Sequence, residues 1–200
     1  PNDRVVIAEP TYPWVTEEIL AVGAAYIDVG RDQHMCIQKD AFKRVVNEQP
    51  IRMVFLSDPN PIAGTVIDGE LWQSLETRDA LWVVDTTWQS YEDGTRTHER
   101  LVRLRDLGAQ MGLPSLRAAF LDATPEVVAS CWQVGRECTT NAAENAASVA
   151  HLKSIKHFER ALQTLQNQVQ SLREKLSAIT GIHVSKAEGP ALMAGIWGKP

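Results

Sequence analysis

The chain has 200 residues, enough to bury a large core in one domain with part of a second. Its 20 Lys and Arg against 25 Asp and Glu leave a net charge of −5, which argues against nucleic acid or an anionic membrane as the main partner. Cys36, Cys131 and Cys138 are odd in number and spaced for neither a disulfide framework nor a zinc site, so structural thiols in a reducing cytoplasm are expected. No apolar run approaches the ~20 residues of a bilayer-crossing helix. Pro1-Asn2-Asp3-Arg4 carries no signal-peptide pattern, and this start without Met reads as a cut inside a domain.

In chain order, Arg4–Ala8 is a short β-branched run closed by Glu9-Pro10, the pattern of a buried strand. Trp14 to Val22 predicts a helix with Trp14, Ile19, Leu20 and Val22 on its apolar side, stopped by Gly23. Ala24–Val29 is a second strand, and Asp40–Asn47 a helix with Ala41, Phe42, Val45 and Val46 inward. Met53–Leu56 is a third strand, ending in the irregular loop from Ser57 to Gly64. Helix Gly69–Leu75 leads to strand Leu81–Val84, followed at once by Asp85; strand Leu101–Leu104 and helix Pro125–Val134 complete the pattern. Strands alternating with helices at this spacing imply βαβ units, a mostly parallel sheet and a ligand site beyond the carboxyl ends of the strands. The loops after Leu56, Val84 and Leu104 are therefore where chemistry is expected.

From Asn141 to Ile179 the chain has neither Pro nor Gly, and apolar residues recur at threes and fours from Ile155 through Phe158, Leu162, Leu165, Val169, Leu172 and Leu176. Unbroken, this helix would reach about 55–60 Å. It reads as a helix linking two domains rather than a coiled-coil seam, since the heptads are few. Gly181 caps it and Ile182–Val184 begins a new strand. His34, His98, His151, His157 and His183 are scattered among polar neighbours and read as solvated.

Five features in order carry a resemblance: Glu9-Pro10-Thr11-Tyr12-Pro13, the loop Ser57-Asp58-Pro59-Asn60-Pro61-Ile62-Ala63-Gly64, the strand end Val83-Val84-Asp85, the segment Asp106–Arg117, and the long helix. Together they resemble the fold-type-I (class I/II) pyridoxal-phosphate-dependent aminotransferases, nearest the histidinol-phosphate branch, over nearly the whole chain. The resemblance implies an α/β fold, a three-layer α/β/α sandwich with a mostly parallel sheet, plus the start of a small α+β domain. The implied divisions are 1–145 for part of the large domain, 146–180 for the interdomain helix and 181–200 for the small domain.

It also implies roles. Tyr12 falls where a ring stacks on the cofactor's pyridine, Asp85 on the carboxylate that keeps the pyridine nitrogen protonated, and Arg117 on the arginine that grips the phosphate. Trp88 stands where the family has a tyrosine bonded to the phenolic oxygen. In the loop, an ungapped fit puts Pro61 on the family's asparagine, and a shift of one residue gives that role to Asn60. The segment from Asp106 aligns without gaps on the lysine loop, so Ala109 occupies the Schiff-base lysine position and Gly108 that of a serine touching the phosphate. Alanine can neither form a Schiff base nor carry a proton, and no lysine lies between Lys43 and Lys153.

The implied function is amino transfer between an amino acid and a 2-oxo acid, impaired by the missing lysine, with pyridoxal phosphate held non-covalently if bound. The alternatives are an inactive subunit supporting an active homologue, and an enzyme that uses pyridoxamine phosphate with another base. A homodimer, or a heterodimer with a homologue, is implied by the family.

Overall fold

A computed structural model describes residues 3–75, 79–91, 98–113, 115–116, 118–135 and 141–196. Strand β1 (Arg4–Ile7) is buried from Val5 onward, and helix α1 (Pro13–Ala21) starts with proline at its first turn, where a missing N–H costs nothing. Then come β2 (Ala25–Asp28), α2 (Lys39–Glu48), β3 (Met53–Ser57), α3 (Gly69–Leu75), β4 (Leu81–Asp85) and β5 (Leu101–Asp106). The short α4 (Leu107–Gln110) and β6 (Ala119–Asp122) precede α5 (Pro125–Val134), α6 (Ala142–Lys153) and α7 (Ile155–Ser177), and β7 (His183–Val184) pairs with β8 (Ala194–Gly195).

The sheet order is β2-β1-β3-β4-β5-β6, parallel through β5 and antiparallel only at β6. A parallel sheet must be covered on both faces, and two apolar clusters do this. One joins Val6, Val54, Leu56, Trp82 and Val84 to Phe42 and Val46 of α2 and Leu71 and Trp72 of α3. The other joins Val5, Ile7 and Phe55 to Val15 and Ile19 of α1. The mostly parallel α/β architecture expected from the sequence is thus observed.

Four details differ from the sequence reading. Trp14, Leu20 and Val22 are 49%, 57% and 74% exposed, because α1 buries the Val15–Ile19 stripe, four residues apart on one face. The stretch after Asn141 is two helices, broken at Ser154, whose φ −116° and ψ 24° leave the helical region. At the start of that stretch Asn141 caps α6 and exchanges hydrogen bonds with Glu144. His151 is buried, and Cys131 is exposed while Cys36 is half-buried; Cys138 lies outside the described residues.

The Ser57–Gly64 loop is clamped from two sides. The Asn60 amide donates to Pro10 O (2.9 Å) and its Oδ1 accepts from the N–H groups of Ile62 and Ala63 (3.0 and 2.8 Å). Ser185 Oγ donates to Ala63 O (2.7 Å), and the N–H groups of Glu188 and Gly189 both donate to Gly64 O. Gly64 has φ +71°, and a Cβ there would lie 1.8 Å from Ala191 O. Gly64→Ala is therefore expected to cost ~1–2 kcal/mol from the left-handed backbone alone and a further ~1–3 kcal/mol from overlap. Urea unfolding checks this; an unchanged midpoint would contradict the clamp.

Candidate functional site

Beyond the carboxyl ends of β1, β4 and β5 lies a cavity of about 580 Å³, lined by Tyr12, Trp14, Asp85, Thr87, Leu104, Arg105, Asp106, Ala109 and residues 119–121. It is the expected location for a ligand on a parallel sheet. Three positions singled out from sequence, Tyr12, Asp85 and Ala109, converge on it. Trp88 lines a separate cavity of about 450 Å³ with Trp72, Asp58, Gln166 and Glu188. Asn60 is buried in its loop with the hydrogen bonds described above, and Arg117 lies outside the described residues.

Asp85 closes β4, and its Oδ1 accepts the N–H of Thr87 at 2.9 Å. Burial pushes its carboxyl above the usual aspartate range, the hydrogen bonds from Thr87 oppose this, and nearby Asp106 adds to the rise while Arg105 counters it. Tyr12 has its phenol raised by burial and then by the Asp85 and Asp106 charges. Its ring stacks on Trp14 at 6.0 Å, and Trp14 meets Phe55 edge-on at 6.1 Å. Next to Asp85 in the register is Ser57, only 5% exposed, whose Oγ has no hydrogen-bond partner among the described residues.

Asp106 caps α4 by accepting the N–H of Ala109 at 3.0 Å, which fixes Ala109 at the cavity wall. Among the described residues no lysine lines the cavity. Gly108 is buried, Leu113 N donates to its carbonyl, and a Cβ at 108 would lie 2.1 Å from Leu116 O. The chain's own backbone thus fills the space a serine side chain would need.

Sequence reading passed over a polar network that ties this loop to the helices. Gln110 donates to Thr87 O at 2.5 Å, and its Oε1 accepts from Tyr91 Oη at 2.7 Å and from His151 Nε2 at 3.0 Å. His151 must therefore carry its proton on Nε2, and burial, with Arg105 nearby, lowers its pKa and favours the neutral ring. The Arg105 guanidinium lies 4.0 Å from the Tyr91 ring centroid and donates to Gln89 O, while Glu159 of α7 accepts from Tyr91 N and Ser90 Oγ. No spacing signal announces this cluster, because its members come from four separate elements.

Against a pyridoxal phosphate group, the two ends of the site behave differently. The ring end fits: a half-buried carboxylate with no salt bridge among the described residues, a buried hydroxyl without a partner among them beside it and a flat ring at the wall suit a protonated heteroaromatic nitrogen. The anchoring end does not fit, since position 109 has no amine and position 108 no hydroxyl.

The architecture and the strand-end cavity define the large domain of a pyridoxal-phosphate-dependent transferase fold, and solved structures agree. The alanine aminotransferase of Pyrococcus furiosus superposes with TM-score 0.82 at 15% identity, covering 100% of this chain and 56% of that one. A putative histidinol-phosphate aminotransferase of Erwinia carotovora atroseptica gives 0.75 at 17%, covering 94% and 58%. The sequence profile of aminotransferase class I and II matches residues 1–196, and the chain belongs to that family. The chloroplastic histidinol-phosphate aminotransferase of Nicotiana plumbaginifolia is 23% identical over 185 residues, which are 90% of this chain and 45% of that protein. The chain spans about half the length of the curated relatives it matches.

The raised Asp85 makes a prediction about stability. A raised folded-state pKa contributes stability that is fully present below the unfolded value near 3.8 and is lost as pH rises through the folded value. Asp85→Asn keeps the acceptor for Thr87 but does not titrate. Its urea midpoint should gain on that of the parent chain between pH 4 and pH 7, and a gap that stays constant with pH would contradict the raised carboxyl at Asp85.

Proposed function

We propose that this chain carries the ring-binding half of an aminotransferase cofactor site without its covalent half. A protein containing it would hold pyridoxal phosphate non-covalently, with amino transfer between amino acid and 2-oxo acid strongly impaired. The convergence of Tyr12, Asp85 and Ala109 on one cavity carries this reading. When bound, pyridoxal phosphate supplies an electron sink for a substrate carbanion. Asp85 would hold a proton on the ring nitrogen, Tyr12 would flank the ring, and apolar Leu104, Phe120 and Leu121 would keep water from the cavity. Ala109 holds no proton, and the loss of a general base at that point costs ~10²–10⁴ in rate.

Arg117, at the position of the family's phosphate arginine, is proposed for the phosphate; Trp88, which lines a separate cavity, and Asn60, bonded within its own loop, are given no contact with the ring in this reading. The filled space at Gly108 favours a second reading, a subunit with no turnover that supports an active homologue. A dimer belongs to either reading; half-exposed Trp14 at the cavity wall suits a covering subunit. Residues 1–145, 146–180 and 181–200 are proposed as large domain, connecting segment and start of the small domain. No described helix is long and apolar enough to cross a membrane, and a cytoplasmic place is proposed.

The test is covalent capture. Titrated with pyridoxal phosphate and then reduced with borohydride, the purified chain should bind saturably yet show no site-specific mass increase. Ala109→Lys should gain one reduced adduct at position 109. An adduct on a native lysine of the parent chain would overturn the proposal, and a lysine at 109 that stays unmodified while the cofactor binds would overturn the assignment of that position.

A further inference from the structure

Resting on the ring-site reading, we propose that Ser57 is a positioning residue for Asp85: its hydroxyl turns to donate to the carboxylate whenever that group is ionised, as it is when it pairs with a cationic ring nitrogen. Ser57 and Asp85 end β3 and β4 on one row of a parallel ladder. Residues paired in this way project from the same face of a sheet, and neighbouring strands lie ~4.7–4.9 Å apart. The preceding pair in this alternation, Phe55 and Val83, belongs to the α1-side cluster together with Tyr12, so Ser57 and Asp85 project on the side where Tyr12 lies.

Ser57 is 5% exposed, and its Oγ is one of two buried side-chain polar atoms without a partner among the described residues. Leaving a hydroxyl unpaired in a core is costly, and such orphans in a native fold call for a reason. Changing χ1 between staggered wells re-aims the hydroxyl with no movement of the backbone. Thr87 already donates to Asp85 from the loop after β4, and Ser57 offers a donor from β3 on the other side. The charged groups around Asp85, namely Asp106 and Arg105 from β5, with the Tyr12 phenol before α1, supply no donor that the carboxylate is seen to use.

The experiment pairs two readouts on the purified chain and its Ser57→Ala variant. The first is the carboxyl ¹³C titration of Asp85, assigned by its loss in Asp85→Asn. The second is the dissociation constant for pyridoxal phosphate and for its analogue with carbon replacing the ring nitrogen. Ser57→Ala should move the Asp85 midpoint upward and weaken pyridoxal phosphate roughly tenfold, the loss expected for a hydrogen bond to a charged group, while leaving the analogue unchanged. Superimposable Asp85 titrations would overturn the proposal, as would equal weakening of both ligands, which marks a merely structural role. If the parent chain binds no pyridoxal phosphate but its Asp85 midpoint still moves on Ser57→Ala, the ring-site reading fails while the Ser57–Asp85 contact stands.

Discussion

The candidate site depends on the register of β3 against β4, because that pairing sets where both strands stop. Val54, Leu56, Trp82 and Val84 bury one face against α2 and α3, which prevents a slip of even one residue; such a slip would drive Trp82 and Phe42 apart and turn the apolar row outward. With the row fixed, Ser57 and Asp85 come to the carboxyl edge together, and Asp58 N reaches back to Asp85 O at 2.8 Å. Asp85 is then held where burial raises its pKa and where the hydrogen bonds from Thr87, with the nearby Arg105 charge, only partly offset the rise. A carboxylate maintained at such a cost is characteristic of a site shaped for a ligand rather than for stability.

From that edge the rest of the site is attached by hydrogen bonds rather than by packing. Asp106 accepts from Ala109 N, Thr87 Oγ1 accepts from Asp106 N, and Gln110 bridges Thr87 O to Tyr91 and His151. The loop that in the family bears the lysine is therefore rigidly placed here and carries a methyl group. Its neighbour Gly108 is overlaid by the carbonyls of Leu113 and Leu116. In the proposed reading, Ala109 in place of the amine and Gly108 beneath the closed backbone act together on the same end of the cavity.

Much of the fold was legible because buried parallel strands are short apolar runs, and Val5-Val6-Ile7, Met53–Leu56 and Leu81–Val84 are such runs. Strand β6 was missed because Ala119-Phe120-Leu121-Asp122 is short and mixed, and its pairing to β5 depends on a turn that leaves no apolar alternation. The face of α1 was misjudged because Trp14 finds Tyr12 and Phe55 beyond the helix, while the sheet takes only Val15 and Ile19. Nothing in the composition of residues 141–179 marks Ser154, where the helix breaks. At the site, Tyr12, Asp85 and Ala109 were visible through the resemblance to the aminotransferase family. Ser57, Gln110 and His151 were not, since their importance arises from the meeting of distant segments: His151 meets Gln110 across 41 residues and contacts the Tyr91 ring at a tilt and the Phe158 ring edge-on.

The claim that the ring end survives without the covalent end is tested most directly by a crystal structure of the chain grown with pyridoxal phosphate. The account predicts a ring in the Tyr12–Asp85 cavity, its nitrogen within hydrogen-bond distance of the Asp85 carboxylate, and no density joining it to any lysine. A ring bound elsewhere, or one continuous with a lysine side chain, would contradict it.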